Sequence, residues 1–330
     1  MLKKTLVAGG GASAAFLSFL LIPNTSLAHG IAGNRYFPGT LTFDDPAVAD
    51  ELVFGYSFLK RPVEDGTLAT DDTVPLTFVR LLTPDIAFGI DTAGIVRNRS
   101  GLPQQAGFYN VDLTLKALLY RSDPHETLIS AAISWQIGGT GNPAVGGGKP
   151  DILQPGIFWG RGFGDLPDSL AWFRPFGIAG AVTFELPTRD TTTIVGVDPL
   201  TDRFGPMVTR LPDTVHWGFA LEYSTLYLTD RFTGGPAKKE PLNQWVPLVE
   251  FAFDSPLGAK TAATANPGLS YVAVAWQLAG EAIIPLNREG GHGVGFRAQL
   301  LFFLDEVSPL FAKPMFSSQP VVSRVEKFPN

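Results

Sequence analysis

Apolar and polar residues alternate with a period of two along most of this 330-residue chain. Between positions 216 and 227, Trp217, Phe219, Leu221, Tyr223 and Tyr227 share one parity, and His216, Gly218, Ala220, Glu222 and Ser224 share the other. The next segment repeats the scheme, with Trp245, Val249, Phe251 and Phe253 set against Glu250 and Asp254. Successive strand side chains point to opposite faces, so each segment predicts a strand with one apolar, aromatic face and one polar face. Candidate strands fall at 51–59, 74–82, 85–95, 107–121, 126–138, 151–160, 170–186, 190–198, 213–228, 244–254, 269–285 and 292–304. Several reach the roughly 9–11 residues that cross a bilayer at a tilt. The very hydrophobic stretch 269–286 reads as a strand too, because a helix there would put Glu281 in lipid and would contain Gly280 and Pro285. Arg174 falls on the apolar parity beside Trp172 and Phe176, which points to a bulge or an interfacial position.

Short links at 83–85 and 122–125 predict tight turns, and Gly/Pro-rich links at 138–150, 198–212, 229–243 and 255–268 predict loops. Short turns at one end and long loops at the other characterise outer-membrane barrels. The expected fold is all-β: an antiparallel up-and-down transmembrane β-barrel of about 12 strands over 51–304. An N-terminal arm (29–50) without sustained periodicity precedes it, and a C-terminal tail (305–330) follows.

The chain opens with a segment that reads as a signal peptide, residues 1–28. Lys3 and Lys4 precede an uncharged stretch over 6–22, Pro23 breaks it, and Ser26, Leu27 and Ala28 fit a small-x-small cleavage site. No cysteine is present, which excludes disulfides and lipidation at an N-terminal cysteine. Without Lys3 and Lys4 there are 23 basic against 31 acidic residues, a net charge of −8 that argues against nucleic acid as a partner. The 36 glycines and 27 prolines interrupt the chain too often for long helices.

The polar parity collects a candidate lumen lining: Asp112, Lys116, Glu222, Glu250, Gln277, Glu281, Arg297 and Gln299. Both signs of charge occur, so these residues either stiffen and fill a narrow interior or line a polar passage. Glu281 and Arg297 are expected to pair if their depths match.

Catalytic signatures are sparse. No G-x-S-x-G, P-loop or H-E-x-x-H pattern occurs. Ser/His pairs drawn from His216 with Ser224, or His125 with Ser130, need only what any serine-rich chain offers. No enzymatic activity and no cofactor are expected. Cleavage after Ala28 would expose His29, whose amine and imidazole suit Cu(II) if His125, His216 or His292 completed the set.

The arm His29-Gly30-Ile31-Ala32-Gly33-Asn34-Arg35-Tyr36-Phe37-Pro38, with Asp44-Asp45-Pro46-Ala47-Val48-Ala49-Asp50-Glu51, resembles the start of uncharacterised proteobacterial outer-membrane barrels. These are grouped with the phenol-degradation meta-pathway outer-membrane proteins and related transporters. The ending Gly293-Val294-Gly295-Phe296-Arg297-Ala298-Gln299-Leu300, through Phe303-Leu304-Asp305, is similar to theirs as well. The chain departs from such barrels in continuing past Leu304, with Phe311, Phe316 and Phe328 in the extension. The resemblance implies an outer-membrane address and passage of small apolar or aromatic solutes. The expected partners are outer-membrane lipid, the barrel-assembly machinery and a small-molecule solute. Alternative expectations are an envelope copper-binding protein using His29 and a secreted soluble all-β binding module.

Overall fold

The structure is a computed structural model that describes residues 30–63, 65–198, 200–227 and 242–316. Its strands in chain order begin with β1 (Ile31–Ala32), β2 (Arg35–Tyr36), β3 (Glu51–Pro62), β4 (Leu68–Thr83), β5 (Ile86–Asn98) and β6 (Gln105–Phe108). There follow β7 (Val111–Ser122), β8 (Thr127–Ile137), β9 (Ile152–Gly162), β10 (Phe176–Pro187), β11 (Thr191–Asp198) and β12 (Arg203–Arg210). The last five are β13 (Thr214–Tyr223), β14 (Gln244–Pro256), β15 (Ala262–Val272), β16 (Trp276–Pro285) and β17 (Gly295–Phe303).

Twelve of them, β3–β5, β7–β10 and β13–β17, form one closed antiparallel barrel. Each stave pairs with the next along the chain, and β17 returns to β3 from Phe296↔Phe58 to Phe303↔Glu51. Closure leaves no open edge, the condition for strands to sit in hydrocarbon. Strand β6 adds to the flank of β5, β1 pairs only with β2, and β11 with β12 forms a separate hairpin.

The two parities separate as inside and outside. From Phe54 on β3 to Phe296 on β17, every stave presents at least one large hydrophobic residue that is more than a third exposed. Cross-strand aromatic pairs reinforce this outer face: Trp217 stacks on Phe253 at 4.0 Å between ring centroids and Phe219 on Phe251 at 5.0 Å. No second sheet covers the apolar face, since the other two described sheets have only two strands each. That removes the packing a soluble sandwich would need. Gly55 is required by its neighbour, because a Cβ there would lie 2.6 Å from Pro75 Cγ on the adjacent stave.

An even number of staves brings Glu51 and Phe303 to the same rim. At this terminal rim lie the short connections 84–85, 123–126 and 273–275, the 163–175 link, and the link from β13 to β14. The opposite rim carries six connections, among them 99–110, 138–151 and 188–213. Long links thus occur at both rims, against the expected segregation, although most of 229–243 lies outside the described residues.

Five sequence expectations need correction. Segment 190–198 is not a stave but β11, half of the hairpin above the barrel, and the expected loop 198–212 contains its partner β12. Segment 269–285 is two staves, because the chain reverses at 273–275, and the expected loop 255–268 contains most of β15. Two differences thus offset, and the count of twelve stands. Finally, 170–175 is not strand. A 3-10 segment (Asp168–Phe173) precedes β10, so Arg174 sits in a connection, donating to the Leu166 carbonyl at 2.7 Å and pairing with Asp168 at 2.8 Å.

Past the last stave, residues 304–316 lie against the outside of β4. Phe311 packs on Phe78 and under the Arg80 guanidinium. The Met315 and Phe316 N–H groups donate to the Leu81 and Leu82 carbonyls at 3.0 and 2.9 Å. Those carbonyls stand where β4 and β5 slip register between Leu81 and Thr83, so the tail pairs backbone that a bulge sets free.

The two faces predict opposite tolerance to charge. An arginine at a lipid-facing midplane position costs about 2–4 kcal/mol. Ile133→Arg or Ile157→Arg, both exposed and mid-stave, should lower the yield of heat-modifiable barrel on gels, while Glu222→Gln and Glu250→Gln assemble normally. Equal yields from all four variants would overturn the assignment of faces.

Candidate functional site

The interior of the barrel is occupied by the N-terminal arm. Residues 30–50 enter at the terminal rim, rise to mid-depth at 41–44, and return to the same rim to start β3. At the entry the Arg35 guanidinium donates to the carbonyls of Arg174, Pro175 and Phe176 at 2.8–2.9 Å and lies 3.5 Å from Glu126. At the exit Asp50 accepts from Arg80 Nη1 and the Leu81 N–H, both at 2.7 Å. Two wall glycines make room for arm aromatics. A Cβ on Gly160 would lie 2.8 Å from the Phe37 ring, and one on Gly218 would lie 2.9 Å from the Phe43 ring.

The tip of the arm is held by the inward parity of the staves. Glu250 accepts the Leu41 and Thr42 N–H groups, one on each carboxylate oxygen, both at 2.9 Å. Gln277 accepts from the Gly39 N–H at 3.0 Å, returns a bond to the Gly39 carbonyl at 2.9 Å, and accepts from the Tyr36 hydroxyl. Arg297 Nη1 reaches Leu41 O at 2.7 Å, Thr42 Oγ1 at 2.8 Å and Glu281 Oε1 at 3.0 Å. Lys116 Nζ donates to Asp44 at 2.7 Å and sits over the Phe158 ring.

The other candidate lumen residues are placed as follows. Gln299 faces Gly39 of the arm and lines the chamber described below. Asp112 accepts from Gln136 Nε2 at 3.4 Å, and its second oxygen is buried without a partner. Glu222 is buried and neither oxygen has a hydrogen-bond partner among the described residues. His29 lies outside the described residues. The Ser/His pairs are not assembled: Ser224 donates to Gln244 at 2.9 Å, His125 contacts Asp165 at 2.8 Å, and Ser130 Oγ has no partner among the described residues.

Between arm and wall a chamber of about 610 Å³ remains. The arm from Gly39 to Ala49 lines one side of it, and the wall residues run from Glu51, Ala87 and Leu301 toward the terminal rim to Arg61, Glu289 and Gly290 toward the other. Its walls mix Phe158, Ile283 and Leu301 with Thr114, Gln154, Thr183 and Asp91. His216 also lines it, held from both sides by Asp254 at Nδ1 (2.6 Å) and Glu185 at Nε2 (2.9 Å). Asp91 stands directly opposite Asp112 across the β5–β7 pair.

Toward the loop rim the buried Asp65 carboxylate joins three connections. Oδ1 accepts from the Thr67 N–H at 2.9 Å and the Thr67 hydroxyl at 2.6 Å. Oδ2 accepts from the Val197 N–H at 2.8 Å and lies 3.5 Å from Arg99. Burial pushes this carboxyl up, but the hydrogen bonds from Thr67 and Val197 and the Arg99 charge outweigh it and hold it below the usual carboxylate range. The carboxylate therefore stays ionised at neutral pH, and its contacts weaken only as pH falls through that depressed value.

The arm's place, and with it Arg35, Thr42, Asp44 and Asp50, is absent from any periodic pattern. One signal was available: an inward face with several carboxylates and few cations needs donors from elsewhere. If Glu250 clamps the tip, Glu250→Gln should weaken it by about 1.5–3 kcal/mol, the range for bonds to a charged group. Hydrogen exchange at the Leu41 and Thr42 amides should then rise by about tenfold or more. Unchanged exchange in an assembled barrel would show that the clamp is not what holds the arm.

No protein-family model matches this chain, and no curated protein sequence does. Among solved structures, an outer membrane channel from Pseudomonas putida F1 is 12% identical over 81% of this chain and 98% of its own, with a TM-score of 0.49. The KdgM porin is 9% identical over 76% of this chain and 98% of its own, with a TM-score of 0.41. The toluene transporter TbuX of Ralstonia pickettii is 13% identical over 71% of this chain and 67% of its own, with a TM-score of 0.36. The chain is similar to these proteins in its barrel architecture, and neither cargo nor residue roles are taken from them.

Proposed function

We propose that this protein is an outer-membrane channel that passes a small solute through a lumen closed at rest by its own arm. One observation carries the reading: a barrel apolar on its outside encloses a partly polar chamber that a peptide segment bonded to the wall narrows from one side. Chambers of a few hundred Å³ suit small organic molecules. A segment held by hydrogen bonds and ion pairs can exchange those partners for water, which a close-packed apolar core cannot do. Aromatic and aliphatic wall residues beside hydroxyls and amides favour a solute with an apolar or aromatic body, in keeping with the resemblance to the phenol-degradation outer-membrane proteins.

In this reading the eight inward residues have two roles. Glu250, Gln277, Glu281, Arg297 and Lys116 hold the arm when the channel is closed and line the path when it is open, with Asp112, Glu222 and Gln299 beside them. Lipid contacts the outer belt, the barrel-assembly machinery inserts it, and the terminal rim faces the periplasm. The copper reading rests on His29 and gains no support from the other histidines. His125 lies at the terminal rim and His292 at the opposite one, and both His125 and His216 already contact carboxylates. Among the described residues no group of three or more His, Cys, Asp or Glu is placed to hold a metal.

Gly160→Val should dislodge Phe37, and planar-bilayer conductance should rise about tenfold or more over the parent, since displacing the arm needs only a few such contacts to fail. An assembled Gly160→Val barrel as quiet as the parent would overturn the arm as the closing element. In the opened barrel, Arg297→Ala leaves Glu281 unpaired, so the reversal potential under a salt gradient should shift toward cation preference. An unchanged reversal potential would place the conduction path away from this pair.

A further inference from the structure

The hairpin of β11 and β12 leaves the barrel between β10 and β13. The turn carrying Asp65 joins β3 to β4. Around the ring these two positions are six staves apart in either direction, so they face each other across the mouth. Val197 stands six residues beyond the base of β11 at Thr191, a reach of about 20 Å for an extended strand. That reach delivers the Val197 N–H to Asp65 Oδ2 at 2.8 Å. Beside it, Gly196 comes so close that a Cβ would lie 2.5 Å from the same oxygen. Along the way β11 packs against the Pro143–Val145 turn, where Ile194 and Val145 are both buried. A surface loop would leave such residues in solvent.

Resting on the channel reading above, we infer that the β11–β12 hairpin is a lid across the loop-rim mouth, latched by Asp65, which turns the chamber into a compartment closed at both ends. The arm closes the terminal side and the lid closes the other. The Asp65 carboxylate fits the role of latch because it is wholly buried and shared between its own turn, Arg99 and the lid backbone. Removing the Val197 N–H bond leaves the turn's own bonds from Thr67 in place. The latch can therefore release without unfolding the rim.

The chain has no cysteine, which makes a covalent lock clean to read. The Cβ position at Gly196 lies 3.0 Å from Asp65 Cβ, and a disulfide needs about 3.5–4.5 Å, so a shift of about an ångström admits the bond. The test uses full-length protein in outer-membrane vesicles carrying Ser134→Cys, a chamber-lining position, with Asp65→Cys and Gly196→Cys added. Labelling of position 134 by a charged maleimide is followed by mass spectrometry of that peptide. With the lock oxidised, labelling should slow about tenfold or more relative to the reduced protein, and Asp65→Ala in place of the lock should speed it by a similar factor. Heat-modifiability and the mobility shift of the disulfide confirm assembly and bond formation in each sample. Equal labelling with the lock formed and reduced would overturn the lid, and so would an Asp65→Ala barrel labelled no faster than the parent. Conductance of Gly160→Val judges the channel separately. Lock-sensitive labelling without conductance keeps the lid and removes the channel, whereas conductance with lock-insensitive labelling does the reverse.

Discussion

A backbone N–H or C=O left unpaired in hydrocarbon costs several kcal/mol, and the seam between β17 and β3 removes that cost from the sheet edges. Everything else in the molecule follows from the ring being closed. Closure gives each stave one face toward the surroundings and one toward the interior, so a period of two becomes a statement about inside and outside. It also fixes where irregularity is allowed. The slip between β4 and β5 at Leu81–Thr83 lies at a rim, and there the tail covers the freed carbonyls with Met315 and Phe316.

A closed ring of twelve staves creates a second problem, because its polar inner face is cut off from bulk water. Buried carboxylates need donors, and the wall supplies few: Arg297 for Glu281, with little for Glu250. The arm answers with its backbone. Two successive N–H groups from Leu41 and Thr42 fit the two oxygens of Glu250, an arrangement that needs no cationic side chain. Arg35 works in the other direction, a wholly buried guanidinium bonded by three consecutive carbonyls, Arg174 and Pro175 of the rim connection and Phe176 of β10. Arm and wall are complementary in hydrogen-bonding character more than in net charge.

How much of this was legible depended on whether a feature is written in neighbouring residues. The staves from Glu51–Pro62 to Gly295–Phe303 were, because alternation is local. The Glu281–Arg297 contact was within reach too, since it needs only correct depth on two adjoining strands. Strand β15 was missed because Asn266, Pro267 and Gly268 look like a turn, although Pro267, opposite Val249 on β14, is tolerated in a sheet whose register is set from both sides. Strand β11 was mistaken for a stave because Thr191–Asp198 alternates as a stave does, and nothing local says which partner it will find. The arm was recognised as aperiodic, yet its position inside the ring depends on contacts over two hundred residues away, such as Thr42 with Glu281.

The described arm goes in and comes out at one rim: its entry is fixed near Asp123 and Glu126, and its exit near Arg80. This makes it a loop pushed into a sleeve, not a thread passed through one. No knot has to be undone for it to leave, and no stave pairing has to break. It can also be inserted after the seam has closed, so the order of assembly is not constrained by it. A pull on the arm's ends acts from the rim where both of them lie, whereas the β11–β12 hairpin lies at the other rim. The two rims thus each hold one key to the same room.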